Sequence, residues 1–179
     1  MRNTRNIYLI GPMGAGKSTV GRLLAKTLGS QFVDSDREIE QRAGVSIPTI
    51  FEYEGESGFR KREGEVLAEL ARLDGIVMAT GGGSIMSEEN RVLLHQCGFV
   101  VYLQCSIDKQ LERTGRDPNR PLLQTGNPRE KLRELFRTRE PYYRALADFT
   151  VDTGQCTSRI AIRQILRAYQ RTNAHLPKS

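Results

Sequence analysis

The chain of 179 residues has only three cysteines, Cys97, Cys105 and Cys156. An odd number without metal-ligand spacing argues against a disulfide scaffold and for reduced thiols in a cytoplasmic protein, each expected to be a small buried hydrophobe. Long apolar runs are lacking too. After Met1-Arg2-Asn3-Thr4-Arg5 only a few apolar residues precede Gly11, far short of a signal peptide or a membrane span, so no membrane partner is expected. No internal repeat or second domain is visible. The net charge is +6, yet an aromatic-plus-basic ribonucleoprotein pattern and zinc-finger spacing are both missing. The basic residues are mostly arginine and are interspersed with acidic ones, which suits planar, bidentate contacts to a small carboxylate or phosphate better than nucleic acid.

What the chain does have is a Gly11-Pro12-Met13-Gly14-Ala15-Gly16-Lys17-Ser18-Thr19 segment between a short apolar run, Ile7-Tyr8-Leu9-Ile10, and a helical pattern. That is the G-x-x-x-x-G-K-[ST] phosphate loop in the strand-to-helix context it requires. Gly11, Gly14 and Gly16 let successive N–H groups converge on a β-phosphate, and the helix beginning near Lys17 adds its positive end. Lys17 is placed to reach the β- and γ-phosphates, Ser18 to ligate the accompanying Mg²⁺, and Thr19 to support an α-phosphate oxygen.

At this length one domain covering 1–179 is expected, able to bury about 70% of its unfolded surface. Strands are expected at 7–10, 31–34, 75–80, 99–103 and 149–152, alternating with helices, which gives an α/β fold with a five-stranded parallel sheet and helices on both faces. The first helix carries Val20, Leu23, Leu24 and Leu28 inward and stops at Gly29. The second strand releases Asp34 and Asp36; Asp36 is a ligand-facing carboxylate or the cap of the helix ended by Gly44. A short helix from Ser46 is expected to break near Gly55 and Gly58. A longer one follows, buried along Val66, Leu67, Leu70 and Leu73, with Arg60 and Arg62 either functional or solvated.

Gly81-Gly82-Gly83 at the end of the third strand reads as a place where a ligand lies against the main chain. Ser87 caps a helix with Val92, Leu93 and Leu94 inward, closed by Gly98. A helix from Ser106 to about Thr114 leads into 113–128, rich in turn formers, which reads as a mobile lid bringing Arg113, Arg116 or Arg120 over the phosphates, unless these are surface charges. A helix at 130–138, a separate short one opened by Pro141, and a terminal helix complete the chain. That terminal helix is capped by Thr157 or Ser158, carries Ile160, Ile162, Ile165, Leu166 and Tyr169, and frays from Thr172.

A phosphate loop alone leaves three classes: a small-molecule kinase, a GTPase-type switch, or a nucleotide-dependent binding module. The guanine-reading N-K-x-D segment is missing. A binding module has no need of a carboxylate pair, arginines and a glycine triplet around one cavity. Together with the phosphate loop, Asp34-Ser35-Asp36, Gly58-Phe59-Arg60, Thr80-Gly81-Gly82-Gly83, Arg120-Pro121-Leu122-Leu123 and Arg139 with Tyr142-Tyr143 closely resemble shikimate kinase over nearly the whole chain. Gluconate kinase and the nucleoside monophosphate kinases share the fold and are the nearest competitors.

The resemblance implies a nucleoside monophosphate kinase-like fold with a mobile lid and a shikimate-binding helical region at about 36–62. It also implies transfer of phosphate from ATP to the 3-hydroxyl of shikimate, a step toward chorismate and the aromatic amino acids. By it, Arg60 and Arg139 hold the substrate carboxylate, Asp36 binds the ring hydroxyls and accepts the 3-hydroxyl proton, and Gly82 offers its N–H. Ser18 ligates Mg²⁺ and Asp34 acts on it through water. Gly14, Ala15, Gly16, Lys17, Ser18 and Thr19 bind ATP, Arg113 stacks on adenine, Gln155 with Cys156 forms the far side of the base pocket, and Arg120 reaches phosphate when the lid closes. Lys17 and Arg120 join Asp36 as the catalytic set. Shikimate and ATP are the expected partners of a monomer.

Overall fold

The apolar run at the head of the chain becomes the central strand, β1 (Asn6–Ile10), buried along its whole length. The structure, a computed structural model, describes residues 5–114 and 127–174. After β1 come α1 (Lys17–Leu28), β2 (Phe32–Asp34), α2 (Ser35–Ala43), α3 (Ile47–Leu70) and β3 (Val77–Ala79). A 3₁₀ turn (Ser84–Met86), α4 (Glu88–Cys97), β4 (Gly98–Gln104), α5 (Ile107–Thr114), α6 (Pro128–Leu146), β5 (Phe149–Asp152) and α7 (Ser158–Ala174) follow. The five strands run parallel in the order β2-β3-β1-β4-β5. All their carboxyl ends therefore open on one edge, where ligands bind in sheets of this kind.

Strand alternation divides the core in two. Tyr8, Ile10, Met78, Val100 and Tyr102 pack against α3, α4 and α6, whereas Ile7, Leu9, Val77, Val101 and Leu103 pack against α1 and α7. The expected α/β sheet with two helical layers is thus present. The expected termini at Gly29 and Gly44 hold as well, each in the left-handed conformation that ends a helix.

Several local expectations are corrected. Leu23 and Leu28 are exposed, because α1 turns Val20, Gly21, Leu24 and Ala25 to the sheet; a β-carbon on Gly21 would lie 2.4 Å from the Phe32 ring. α3 kinks at Gly55 alone (φ 70°, ψ −176°) and runs on through Gly58. Gly58 serves the kink differently: a β-carbon there would come within 2.5 Å of Glu54 Cβ. α3 ends at Leu70, which leaves Leu73 exposed; Val92 and Ile160 are exposed too, and Ala161 takes the inward place expected of Ile160. Gly98 closes α4 from within β4, in extended conformation, because a side chain would strike the Tyr8 ring at 2.4 Å.

Pro141 opens no new helix. α6 is continuous through it, and both Pro141 and Arg137 one turn earlier are exposed, so the carbonyl released by the missing N–H meets water. Thr157 is the residue that meets the first turn of α7, accepting from the Ile160 N–H, and α7 continues past Thr172 to Ala174. Of the cysteines only Cys105 is buried; Cys97 and Cys156 are half-buried, and all three are free thiols.

Candidate active site

The phosphate loop folds as its glycines demand, with Gly11, Gly14 and Gly16 all at positive φ. Gly16 leads directly into α1. Lys17 bends back over the loop, its Nζ donating to the carbonyls of Gly11 (2.7 Å) and Pro12 (2.8 Å). Ser18 Oγ donates to Asp34 Oδ2 at 2.8 Å, joining the first turn of α1 to the end of β2. Thr19 is exposed on the same turn.

Asp34, not Asp36, caps α2: its Oδ1 accepts from the N–H groups of Asp36 and Arg37. The capping role considered for Asp36 is thereby overturned, since the helix begins two residues earlier than a cap at Asp36 requires. Asp36 instead turns inward, and its Oδ1 is buried without a hydrogen-bond partner. Burial, reinforced by the Asp34 carboxylate and opposed by Lys17, raises the Asp36 carboxyl to about 6.

None of the triplet glycines has positive φ, so it is space, not backbone freedom, that they supply. A β-carbon on Gly81 would lie 2.6 Å from Asp36 Oδ1 and 3.1 Å from Glu63 Oε1; one on Gly83 would lie 2.7 Å from Arg60 Nη2. Arg60 sits over the Phe59 ring and donates to Glu63 Oε2 at 2.7 Å. Arg62, two residues on and so about half a turn round the helix from Arg60, pairs with Glu54 on the exposed side. Of the two arginines left open by the sequence, Arg60 is the one turned to the triplet.

Glu63 is a further residue of this site that the sequence pattern did not single out. It is 1% exposed, its Oε1 has no partner, and burial raises its pKa against the pull of Arg60 and Arg139. Its place three residues after Arg60, among the inward positions of α3, was the available signal.

From the other side, α6 brings Arg139 and Tyr143 to Gly82. A β-carbon on Gly82 would have Arg139 Nη1, the Gly11 carbonyl and Tyr143 Oη at 3.5, 3.5 and 3.6 Å. Tyr143 donates to the Gly82 carbonyl, lies beside Arg139, whose charge favours its ionised form, and is stacked on Tyr102. Burial pushes its hydroxyl up to about 12. The Gly11 carbonyl thus touches Gly82 and also accepts from Lys17, which ties the triplet to the phosphate loop. Asp36, Arg60, Gly82 and Arg139 are gathered at one place facing Lys17.

On the nucleotide side, Arg113 at the end of α5 donates to the Gly14 carbonyl (2.9 Å) and, through Nη2, to the Thr153 carbonyl (2.8 Å). Thr153, also unforeseen, donates to the Ala15 carbonyl at 2.8 Å. Gln155 is exposed in the turn after β5, where Cys156 Sγ contacts the Asp152 carbonyl. Arg116, Arg120 and most of the expected lid lie outside the described residues.

The shikimate kinase family model matches residues 13–170. The chain is 63% identical over 176 residues to the shikimate kinase of Methylococcus capsulatus, covering 98% of each. Among solved structures, that of the shikimate kinase from Acinetobacter baumannii in complex with shikimate superposes with a TM-score of 0.91 at 51% identity, covering 98% of this chain and 97% of that one. A gluconokinase from Sinorhizobium meliloti reaches 0.56 at 19% identity, a likeness of fold alone. With the acid, the arginines and the glycine triplet assembled beside a phosphate loop, and with this kinship along its whole length, the chain belongs to the shikimate kinase family.

Proposed function

We propose that this enzyme transfers the γ-phosphoryl group of ATP to the 3-hydroxyl of shikimate, giving shikimate 3-phosphate and ADP on the way to chorismate and aromatic amino acids. The observation that carries the reading is the glycine triplet with the Asp36 carboxylate over one end and the Arg60 guanidinium over the other. A cyclic triol bearing a carboxylate needs both signs of partner, and the two stand on opposite sides of one backbone strip. In this reading Arg60 and Arg139 grip the carboxylate by charge-assisted hydrogen bonds. The Gly82 main chain and Asp36 hold the hydroxyls, and Asp36 orients the 3-hydroxyl and takes up its proton.

The loop N–H groups from Gly14 to Thr19 hold the phosphates, and Lys17 leaves the carbonyls of Gly11 and Pro12 to reach them. Ser18 and Asp34 fit a magnesium ion: a hydroxyl and a carboxylate already meet at 2.8 Å beside the phosphate loop. Such an ion takes few protein ligands and keeps its waters, which suits Ser18 as direct ligand and Asp34 as one acting through water. When bound it offsets charge on the β- and γ-phosphates. Alignment and charge neutralisation, not covalent help, carry this chemistry, so Lys17 and Arg120 join Asp36 as the catalytic set. Arg113 and Gln155 flank the base.

The same reading treats 1–179 as one domain, with a shikimate-binding region at about 36–62 and a lid at about 113–128. It has the enzyme act as a cytoplasmic monomer without membrane or nucleic-acid partners. The free thiols suit such a compartment, and among the described residues no helix is long and apolar enough to cross a membrane.

The test is ADP release measured in parallel with shikimate, gluconate and nucleoside monophosphates. Release with shikimate alone is expected, and preference for another acceptor sinks the reading. Within it, Asp36→Asn abolishes turnover while ATP still binds, and Arg139→Ala weakens shikimate far more than ATP; equal losses would count against the acceptor-site assignment.

A further inference from the structure

A phosphate loop works by aiming N–H groups at an anion, but nothing in the loop's own sequence says what holds the peptide planes at that angle. Each plane carries its carbonyl on the side opposite its N–H. A group that grips the carbonyl therefore sets the direction of the next residue's N–H. Two peptides of this loop are gripped from behind by side chains of distant elements.

The Gly14–Ala15 peptide has its carbonyl held by Arg113 Nη1 at 2.9 Å, while the Ala15 N–H closes the loop onto the Pro12 carbonyl at 3.3 Å. The Ala15–Gly16 peptide has its carbonyl held by Thr153 Oγ1 at 2.8 Å. Thr153 is itself fixed. It is 5% exposed, its N–H donates to the Gln104 carbonyl, its carbonyl accepts from Arg113 Nη2 and its hydroxyl accepts from Arg113 Nη1 at 3.4 Å. With one proton to give, the hydroxyl spends it on Ala15, the Gln104 carbonyl being farther off at 3.2 Å. The Gly16 N–H, on the opposite side of that plane, is thereby directed away from Thr153.

We propose that Thr153 is a positioning residue of the phosphate site: holding the Ala15 carbonyl, it aims the Gly16 N–H at the bound triphosphate, and with Arg113 it joins the turn after β5 to the phosphate loop. The proposal rests on the reading of this loop as the ATP site. Arg113 is not withdrawn from the base by this role, since its hydrogen bonds use the edge of the guanidinium and leave the planar faces to stack.

Thr153→Val keeps the shape and removes the proton, and the Arg113 bond to the Thr153 carbonyl survives in it. Affinities for ATP, inorganic tripolyphosphate and shikimate are measured separately by calorimetry on the full chain, with melting recorded alongside. Thr153→Val is expected to weaken ATP and tripolyphosphate alike, by about tenfold, the worth of one well-placed hydrogen bond. Shikimate affinity is expected to hold within about twofold, and Thr153→Ser to restore both anions, since each variant tests the hydroxyl alone.

Unchanged ATP affinity would overturn the proposal. So would a loss for ATP without one for tripolyphosphate, which confines Thr153 to the base, or equal losses for shikimate and the anions, which make it merely structural, whatever the melting temperature does. A wild-type chain that bound neither ATP nor tripolyphosphate would instead sink the ATP reading itself, and this proposal with it.

Discussion

The Asp36 carboxylate and the Arg60 guanidinium stand over the two outer glycines of one triplet, the acid 2.6 Å from where a methyl group on Gly81 would sit and the base 2.7 Å from one on Gly83. The glycines leave room for two opposite charges that must both reach a ligand lying on the strip between them. Gly83→Ala meets the end of a partly exposed side chain, which can swing away. The fold should therefore survive while the carboxylate anchor moves. A rise of about tenfold or more in KM for shikimate is expected, the scale of one lost charge-assisted contact, with KM for ATP little changed. Steady-state kinetics with each substrate varied in turn checks this; a variant with both values intact would show that Arg60 does not need the space.

Asp36 is costly to bury, and the cost has a sign. Its carboxyl is raised from 3.8 to about 6 in the folded chain, so the folded state binds the proton more tightly than the unfolded one. Above pH 6 the ionised group lowers stability in full, and the loss is relieved as pH falls from 6 toward 3.8. At 1.36 kcal/mol per pH unit the difference is on the order of 3 kcal/mol. With metal chelated, Asp36→Asn should be more stable than wild type at pH 7.5, by a margin that shrinks toward pH 4. Urea unfolding across that range measures it, and an Asn variant less stable at pH 7.5 would contradict a carboxylate held under strain.

The parts of this molecule legible in the sequence are those where one residue type serves one physical need. β1 and β4 are unbroken apolar runs because both faces of a parallel sheet are covered, and the loop glycines are required by their φ. Asp34 and Asp36 are visible as a pair, but which one caps α2 depends on a two-residue difference in the helix start, a distinction patterns do not carry. Pro141 misled because proline usually opens a helix; here an exposed position lets one continue. Thr153 stayed hidden because it acts on a group remote in sequence, the Ala15 carbonyl, and Glu63 because its partner Arg60, three residues before it, was itself open between a functional and a solvated role.

Tyr143 stands between two substrate-facing groups, donating to the Gly82 carbonyl with Arg139 beside it at the same glycine. Tyr143→Phe keeps the stacking on Tyr102 and removes only the hydroxyl. The Gly82 carbonyl loses its donor, so a loss of stability of about 1 kcal/mol is expected. A severalfold rise in KM for shikimate, with KM for ATP unmoved, should accompany it. Equal KM values in the variant would show that Arg139 is aimed by something else.

The hydrogen bond between Ser18 and Asp34 makes a prediction about the metal that neither residue makes alone. If both act on one magnesium ion, Ser18→Ala removes a direct ligand and Asp34→Asn removes the charge that orients its water, whereas asparagine still caps α2 and so spares the helix. Each change should raise the Mg²⁺ concentration for half-maximal activity by about 10- to 100-fold, the range seen when such supports are removed. Because they share an ion, the double variant should lose less than the product of the two single losses, as coupled neighbours do. Titrating Mg²⁺ against turnover in all four proteins decides it: fully multiplicative losses would mean that the 2.8 Å contact between hydroxyl and carboxylate serves the fold and not a common metal.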